Sequence, residues 1–445
     1  MNRVRPLVLL CVVSLVASLV VAGCSDDGSS SGQPTTPTTG GQVSSTDAPT
    51  TSAAPDTVAP TTAPPTTAPP DTTPPDDPVI AGYREVVETL ADDTLDGRDN
   101  LTDASLAAQA YLIEQLREFA QPIDPAAGGD AGYRQEFAQG VNLLAVIPGA
   151  ELPDEYVIVG AHYDHLGNVC ENVSASDRIC NGAVDNATGV AAALAIGRSL
   201  AAGPQPRRSV VIALWDAEED GLLGSAAYLD APLVPVAQTV GYVNFDIQGT
   251  SMSPALTNIT VMVGAETGGQ NLLAAALAAS QASSLDTMPL SLLFGQGRSD
   301  HANFTAAGVP SVFFTDATPP CYHTVGDDIS IVDYPKLVQQ VATAEALTRD
   351  LASTDALPVF DAAAPPASYD DAVSMLHVVS AAEPDFPRFS NADQAGAAKF
   401  LADLQGIVDA GPAAFGGDAI GILLNGSLLM VNAWATGPCE AFFME

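Results

Sequence analysis

The sequence predicts an α/β domain with a mainly parallel, mixed sheet and helices on both faces, followed by a small C-terminal α+β appendage. Three observations carry this reading. Six short apolar runs recur between residues 141 and 315, helical patterns separate several of them, and an Asn-Gly pair between apolar runs lies near the C-terminus. Strands that are apolar throughout and alternate with helices are buried on both faces, the habit of parallel sheets.

In chain order, apolar residues recur at helical spacing from Ala104 to Phe119, with Thr102 or Asp103 placed to cap the start. The strand-like runs are Val141 to Ile147, Tyr156 to Ala161, Ser209 to Trp215, Gly241 to Phe245, Ile259 to Val263 and Val309 to Thr315. Helical patterns occupy Ala187 to Ala202, Gly221 to Leu229, Asn271 to Ser283 and Pro335 to Leu351. Beyond Pro358 a helix is expected over Asp393 to Val408. A hairpin is then expected at Asn425-Gly426, the dipeptide suited to a two-residue turn. The expected boundaries are 79–356 for the main domain and 357–445 for the appendage, to which no chemistry is tied.

The N-terminal segment follows other rules. Arg3 and Arg5 precede an apolar run from Leu7 to Ala22, too short for a dedicated membrane span, and Val21-Ala22-Gly23-Cys24 has the form of a lipobox. The expectation is a lipoprotein signal over 1–23 and a lipid on Cys24, giving an exported protein tethered to the cell membrane or surface. Residues 24–78 are dominated by Thr, Pro, Ser, Gly, Ala and Asp, with no aromatic residue and no leucine. Such a segment cannot bury enough apolar surface to order itself and reads as an extended stalk.

Composition narrows the partners. The formal charge is −38, and Lys336 and Lys399 are the only lysines. So acidic a chain repels nucleic acid and anionic headgroups, which excludes nucleic acid as a partner. Cys11 leaves with the signal and Cys24 is assigned to the lipid, so Cys170, Cys180, Cys321 and Cys439 remain. An even number in an exported protein suggests disulfides. Cys170 with Cys180 would staple one loop, which leaves Cys321 with Cys439.

Histidines and carboxylates cluster where the expected strands end. Ala161-His162-Tyr163-Asp164-His165 follows the second strand, and Asp164 is placed to accept the second ring N–H of His162. Asp185 lies in Asn181-Gly-Ala-Val-Asp-Asn-Ala-Thr-Gly189, where small residues allow close approach and either Asp185 or Asn186 could cap the next helix. Glu218 and Glu219 are adjacent after the third strand, a repulsion that a cation would resolve. One could bind the cation while its neighbour acts as general base. Asp246 ends the strand Tyr-Val-Asn-Phe, and Tyr322-His323 follows the last one. Here the Tyr322 hydroxyl could stabilise an oxyanion.

This ordered set (H-Y-D, V-D-N-A-T-G, A-E-E, N-F-D and Y-H-T) resembles the M28 family of zinc peptidases, the bacterial double-zinc aminopeptidases. Leu95-Asp-Gly-Arg98, Asn142 to Gly149 and Arg298-Ser-Asp-His301 support the likeness, with Asp300 and His301 in a supporting role. The resemblance implies a zinc-exopeptidase fold. It implies two zinc ions: His162 and Asp246 hold one, Glu219 and His323 hold the other, and Asp185 bridges them. It further implies that Glu218 is the general base acting on a zinc-activated water and that Tyr322 polarises the carbonyl. The substrates would be peptides with a free N-terminus. Cobalt or manganese could replace zinc on such ligands.

Three other readings are weighed. An M20-like dipeptidase or deacylase uses a similar ligand order but inserts a lid domain, for which the stretch between Asp246 and His323 leaves little room. A glutaminyl cyclase of the same fold would lack the first histidine. A non-catalytic surface binding protein on a peptidase scaffold would be expected to have lost ligands, and none is missing from the pattern.

Overall fold

The computed structural model describes residues 77–435 except residue 175, together with residue 439. The expected signal segment, Cys24 and the linker up to residue 76 lie outside the described residues.

Nine strands form one sheet: β1 (Gln121–Pro122), β2 (Arg134–Phe137), β3 (Gly140–Ile147), β4 (Leu152–His162), β5 (Arg208–Trp215), β6 (Thr239–Phe245), β7 (Ile259–Val263), β8 (Asp286–Leu290) and β9 (Ser311–Thr315). Their order is β1-β3-β5-β4-β6-β9-β7-β8, with β2 also paired to β3. The central strands β5, β4, β6 and β9 are mutually parallel, so their carboxyl ends lie along one edge. The flanks are mixed: β3 joins β5 antiparallel, β7 joins β9 antiparallel, and β8 is parallel to β7.

Side-chain alternation explains why the central strands read as continuous apolar runs. Val157, Val159 and Ala161 of β4, with Val210, Ile212 and Leu214 of β5, face the helices α1 (Pro78–Leu90), α2 (Asp103–Arg117), α3 (Thr188–Ala202) and α7 (Tyr334–Leu351). The intervening Ile158, Val211, Ala213 and Trp215 pack on the opposite face with Tyr228 of α4 (Leu223–Asp230) and Phe304 of α6 (His301–Ala306). Both sets are buried, as a doubly covered sheet requires. Between α4 and α6 in sequence, α5 (Gly269–Ala279) places Leu272 and Ala276 in the first cluster.

The C-terminal part departs from the expected α+β appendage. Among the described residues it contains no strand, only α8 (Tyr369–Ala382), α9 (Asn391–Ala410), α10 (Gly417–Ala435) and short single turns. Asn425 and Gly426, expected in a hairpin, lie in mid-helix of α10. The reason is packing. A Cβ on Gly426 would sit 2.1 Å from the Phe400 ring, so this glycine is where α9 and α10 touch. The buried side of α10 recurs at Ala419, Leu423, Gly426, Met430 and Ala433, a helical period that the turn signal obscured. These helices share a core with Val261, Val263 and Phe313 of β7 and β9, and so cover the second face of the sheet at that end.

Both expected disulfides are present, Cys170–Cys180 and Cys321–Cys439. The second ties the loop after β9 to a residue just beyond α10.

Candidate metal centre

The parallel strand ends converge on one cleft. His162 is the last residue of β4 and is 1 % exposed. Its Nδ1 lies 3.1 Å from the backbone oxygen of Asp164 and 3.5 Å from the carboxylate Oδ1 of the same residue. The Asp164 carboxylate also reaches the glutamate pair, since Oδ1 accepts the Glu218 N–H at 3.1 Å and Oδ2 accepts the Glu219 N–H at 3.2 Å. One carboxylate therefore fixes both His162 and the turn that carries Glu218 and Glu219. That turn leaves β5 through Ala217, whose φ of +55° swings the chain into the cleft.

Asp185 sits in the loop before α3. The Asp327 carboxylate accepts the N–H groups of Val184 and Asp185 at 2.8 and 3.0 Å. Arg98, fully buried, donates to the carbonyls of Asn181 at 2.6 Å, Gly182 at 2.9 Å and Tyr163 at 2.9 Å. Neither Asp185 nor Asn186 is the N-cap of α3, a position held by Ala187, but the Asn186 side-chain oxygen accepts the Gly189 N–H at 3.1 Å. The Asp185 carboxylate is left facing the cleft. Its Oδ1 is 3.2 Å from His162 Nε2 and its Oδ2 is 3.2 Å from His323 Nε2.

The remaining groups complete two sides. On one, Asp246 Oδ1 and Glu218 Oε2 lie 3.6 and 4.0 Å from His162 Nε2. On the other, Glu219 Oε2 is 3.2 Å from His323 Nε2, and Glu219 Oε1 is 2.8 Å from His165 Nδ1. Potential ligand atoms of His162, Glu218 and Asp246 lie within 4.8 Å of one another, as do those of His165, Asp185 and Glu219. His165 is the participant that sequence reasoning missed. It closes the A-H-Y-D-H string, and only the fold shows that its ring turns back to Glu219. Asp327 was missed too, since nothing in its spacing marks it.

The electrostatics call for a cation. Asp185, Glu218, Glu219 and Asp246 share one cleft, three of them less than a tenth exposed. Burial, reinforced by Asp246 and Glu219, holds the Glu218 carboxyl well above the usual range against the pull of His162. Burial and Asp185 push Glu219 up, yet His323 and His165 outweigh them and bring it to about 2. Burial lowers His323, but Glu219 and Asp185 dominate and raise it to about 10. Buried His162 Nε2 and Glu219 Oε1 lie 3.2 Å from Asp185 Oδ1 and 2.8 Å from His165 Nδ1, close contacts that lack hydrogen-bond geometry. Imidazole nitrogens and carboxylate oxygens in this arrangement fit zinc.

Tyr322 stacks on His323 with ring centroids 3.8 Å apart, and the Arg298 guanidinium lies 5.4 Å from the Tyr322 ring centre. Burial and the charges of Asp185 and Glu219 keep its hydroxyl protonated, well above its ordinary value. Asp300 and His301 are buried beside the cleft: His301 stacks on Phe313 at 4.4 Å, and burial lifts the Asp300 carboxyl to about 7.

Comparison with known proteins agrees with these motifs. Residues 142–348 match the model of Peptidase family M28. The chain is 30 % identical over 302 residues to the Arabidopsis thaliana "Probable glutamate carboxypeptidase LAMP1", covering 61 % of this chain and 42 % of that protein. It is 33 % identical over 178 residues to "Leupeptin-inactivating enzyme 1" of Streptomyces exfoliatus, covering 39 % of this chain and 35 % of the enzyme. The match thus spans less than half the length of either relative. Among solved structures, the Legionella pneumophila LapA aminopeptidase superposes with a TM-score of 0.47 at 18 % identity, over 62 % of this chain and 74 % of that one.

Proposed function

We propose, from the premise that this chain carries a peptidase family M28 domain over residues 142–348, that it is a zinc-dependent aminopeptidase releasing N-terminal residues from peptides. The observation that supports this best is Asp185, whose two oxygens each meet a different histidine at 3.2 Å. A carboxylate so placed suits a site for two cations. His162 and Asp246 would hold one zinc ion, Glu219 and His323 the other, and Asp185 would lie between them. When bound, zinc supplies the Lewis acid that polarises the scissile carbonyl and acidifies water.

The protein's own groups account for the rest. Glu218, whose Oε2 lies farther from His162 Nε2 than the Asp185 and Asp246 oxygens do, would be the general base that takes a proton from the attacking water and returns it to the leaving amine. Tyr322, held protonated, donates to the developing oxyanion. Asp164 orients His162 and the 217–219 turn together. A carboxypeptidase reading, prompted by the plant relative's name, is less favoured. The one cationic side chain lining the pocket is the exposed Arg298, among the described residues.

The same proposal includes export and a lipid on Cys24, supported by the lipobox form of residues 21–24 and by two disulfides. It also includes a main domain of 79–356 with an appended segment over 357–445.

The test is hydrolysis of aminoacyl-nitroanilides by the whole chain as prepared, after chelation, and after zinc is restored. Activity that chelation abolishes and zinc restores is expected, with no turnover of N-acetylated substrates. Turnover indifferent to chelation would overturn the reading. Glu218→Gln should lose at least about a hundredfold in kcat while zinc content stays at the wild-type level.

A further inference from the structure

The C-terminal helices carry no motif and lie outside the M28 match, yet they reach the catalytic cleft. A cavity is lined at one end by Asp185, Glu218, Asp246 and Tyr322. Its far end changes character. The sheet supplies Val261, Val263 and Phe313, and the facing side is made by Met375, Met430 and Trp434 of α8 and α10. All six of these residues are buried and belong to one apolar cluster. The cavity is thus polar where peptide chemistry would occur and apolar one side chain further in. Its inner wall belongs to a segment that the fold places there by packing α10 on α9 through Gly426. The Cys321–Cys439 disulfide joins the end of that segment to the residue preceding Tyr322.

We propose that the C-terminal helices form the specificity wall of the site, with Met375, Met430 and Trp434 selecting peptides whose N-terminal residue is large and apolar. This rests on the aminopeptidase reading and adds its substrate class. Trp434 supplies a large, rigid apolar area to the wall. The two methionines are unbranched and flexible, so the wall adapts to leucine, methionine or phenylalanine side chains instead of moulding to one. An alanine side chain would leave the apolar end unfilled.

The measurement is the ratio of kcat/KM for leucine- and alanine-nitroanilide, which cancels any loss of folded enzyme. Trp434→Ala and Met430→Ala should each lower this ratio about tenfold, chiefly through KM for the leucine substrate. Trp434→Phe should restore most of it. A ratio near unity in the wild type, or one unchanged by both alanine variants, would overturn the wall while leaving the aminopeptidase reading intact. A second arm separates the two failures. In Glu218→Gln, Trp434 fluorescence is followed against L-leucinamide and glycinamide, Trp215 serving as an invariant background because it is buried on the other face of the sheet. Saturable quenching by leucinamide alone supports the wall even if the wild type hydrolyses nothing. No response to leucinamide sinks it.

Discussion

At the scale of single residues, two adjacent glutamates of the cleft differ sharply in what surrounds them. Glu219 meets His323 and His165 and is drawn down to about 2, whereas Glu218 next to it is held up by burial. Glu219→Gln should therefore lower zinc occupancy, read by metal analysis after dialysis, whereas Glu218→Gln should not. Asp164→Ala should weaken zinc binding by about 10- to 100-fold, the usual cost of removing the group that orients a ligating histidine. It removes the acceptor of two backbone N–H groups as well, so the glutamate pair should lose its fixed pose. Much of this site was legible in the sequence, because most of its groups end or follow an apolar run and Asp185 lies in a string of small residues. His165 and Asp327 were not legible. Their roles depend on loops folding back, which no local pattern encodes.

At the scale of elements, the central strands were legible because apolar runs of five to eight residues bounded by polar turns leave few alternatives. The edges were not. β8 contains Pro289, which a central strand would exclude but an outer strand tolerates. Helices α1 and α8 escaped the periodicity reading, although the Asp77 carboxylate accepts the Val79 N–H at the start of one and the Asp371 carboxylate accepts the Ser368 N–H at the start of the other. The hairpin expected at Asn425-Gly426 failed because the glycine serves a helix contact and not a turn. Gly426→Val should consequently destabilise the protein by about 1–3 kcal/mol, since α9 and α10 must move apart. Chemical denaturation would read this as a lower midpoint. A neutral result would show that the two helices can separate without cost. Arg98 belongs to the same scale. It binds carbonyls on both sides of the cleft and at the end of α1, so one side chain sets the spacing between the β4 end and the Asp185 loop.

At the scale of the whole molecule, a formal charge of −38 disfavours contact with polyanions. The Cys321–Cys439 disulfide spans 118 positions, so its removal by Cys439→Ser should cost about 2–4 kcal/mol by releasing a long loop in the unfolded chain. The midpoint of thermal unfolding measures this, and an unchanged midpoint would deny the link a structural role. The disulfide has a further consequence in time. Cys321 adjoins Tyr322 and His323, but its partner is made 118 residues later, after all three C-terminal helices. While the chain is still on the ribosome, the loop bearing these two residues has nothing to be bolted to. Its last covalent fastening waits for the C-terminal helices, so the loop bearing Tyr322 and His323 can be closed only once the whole chain has been made.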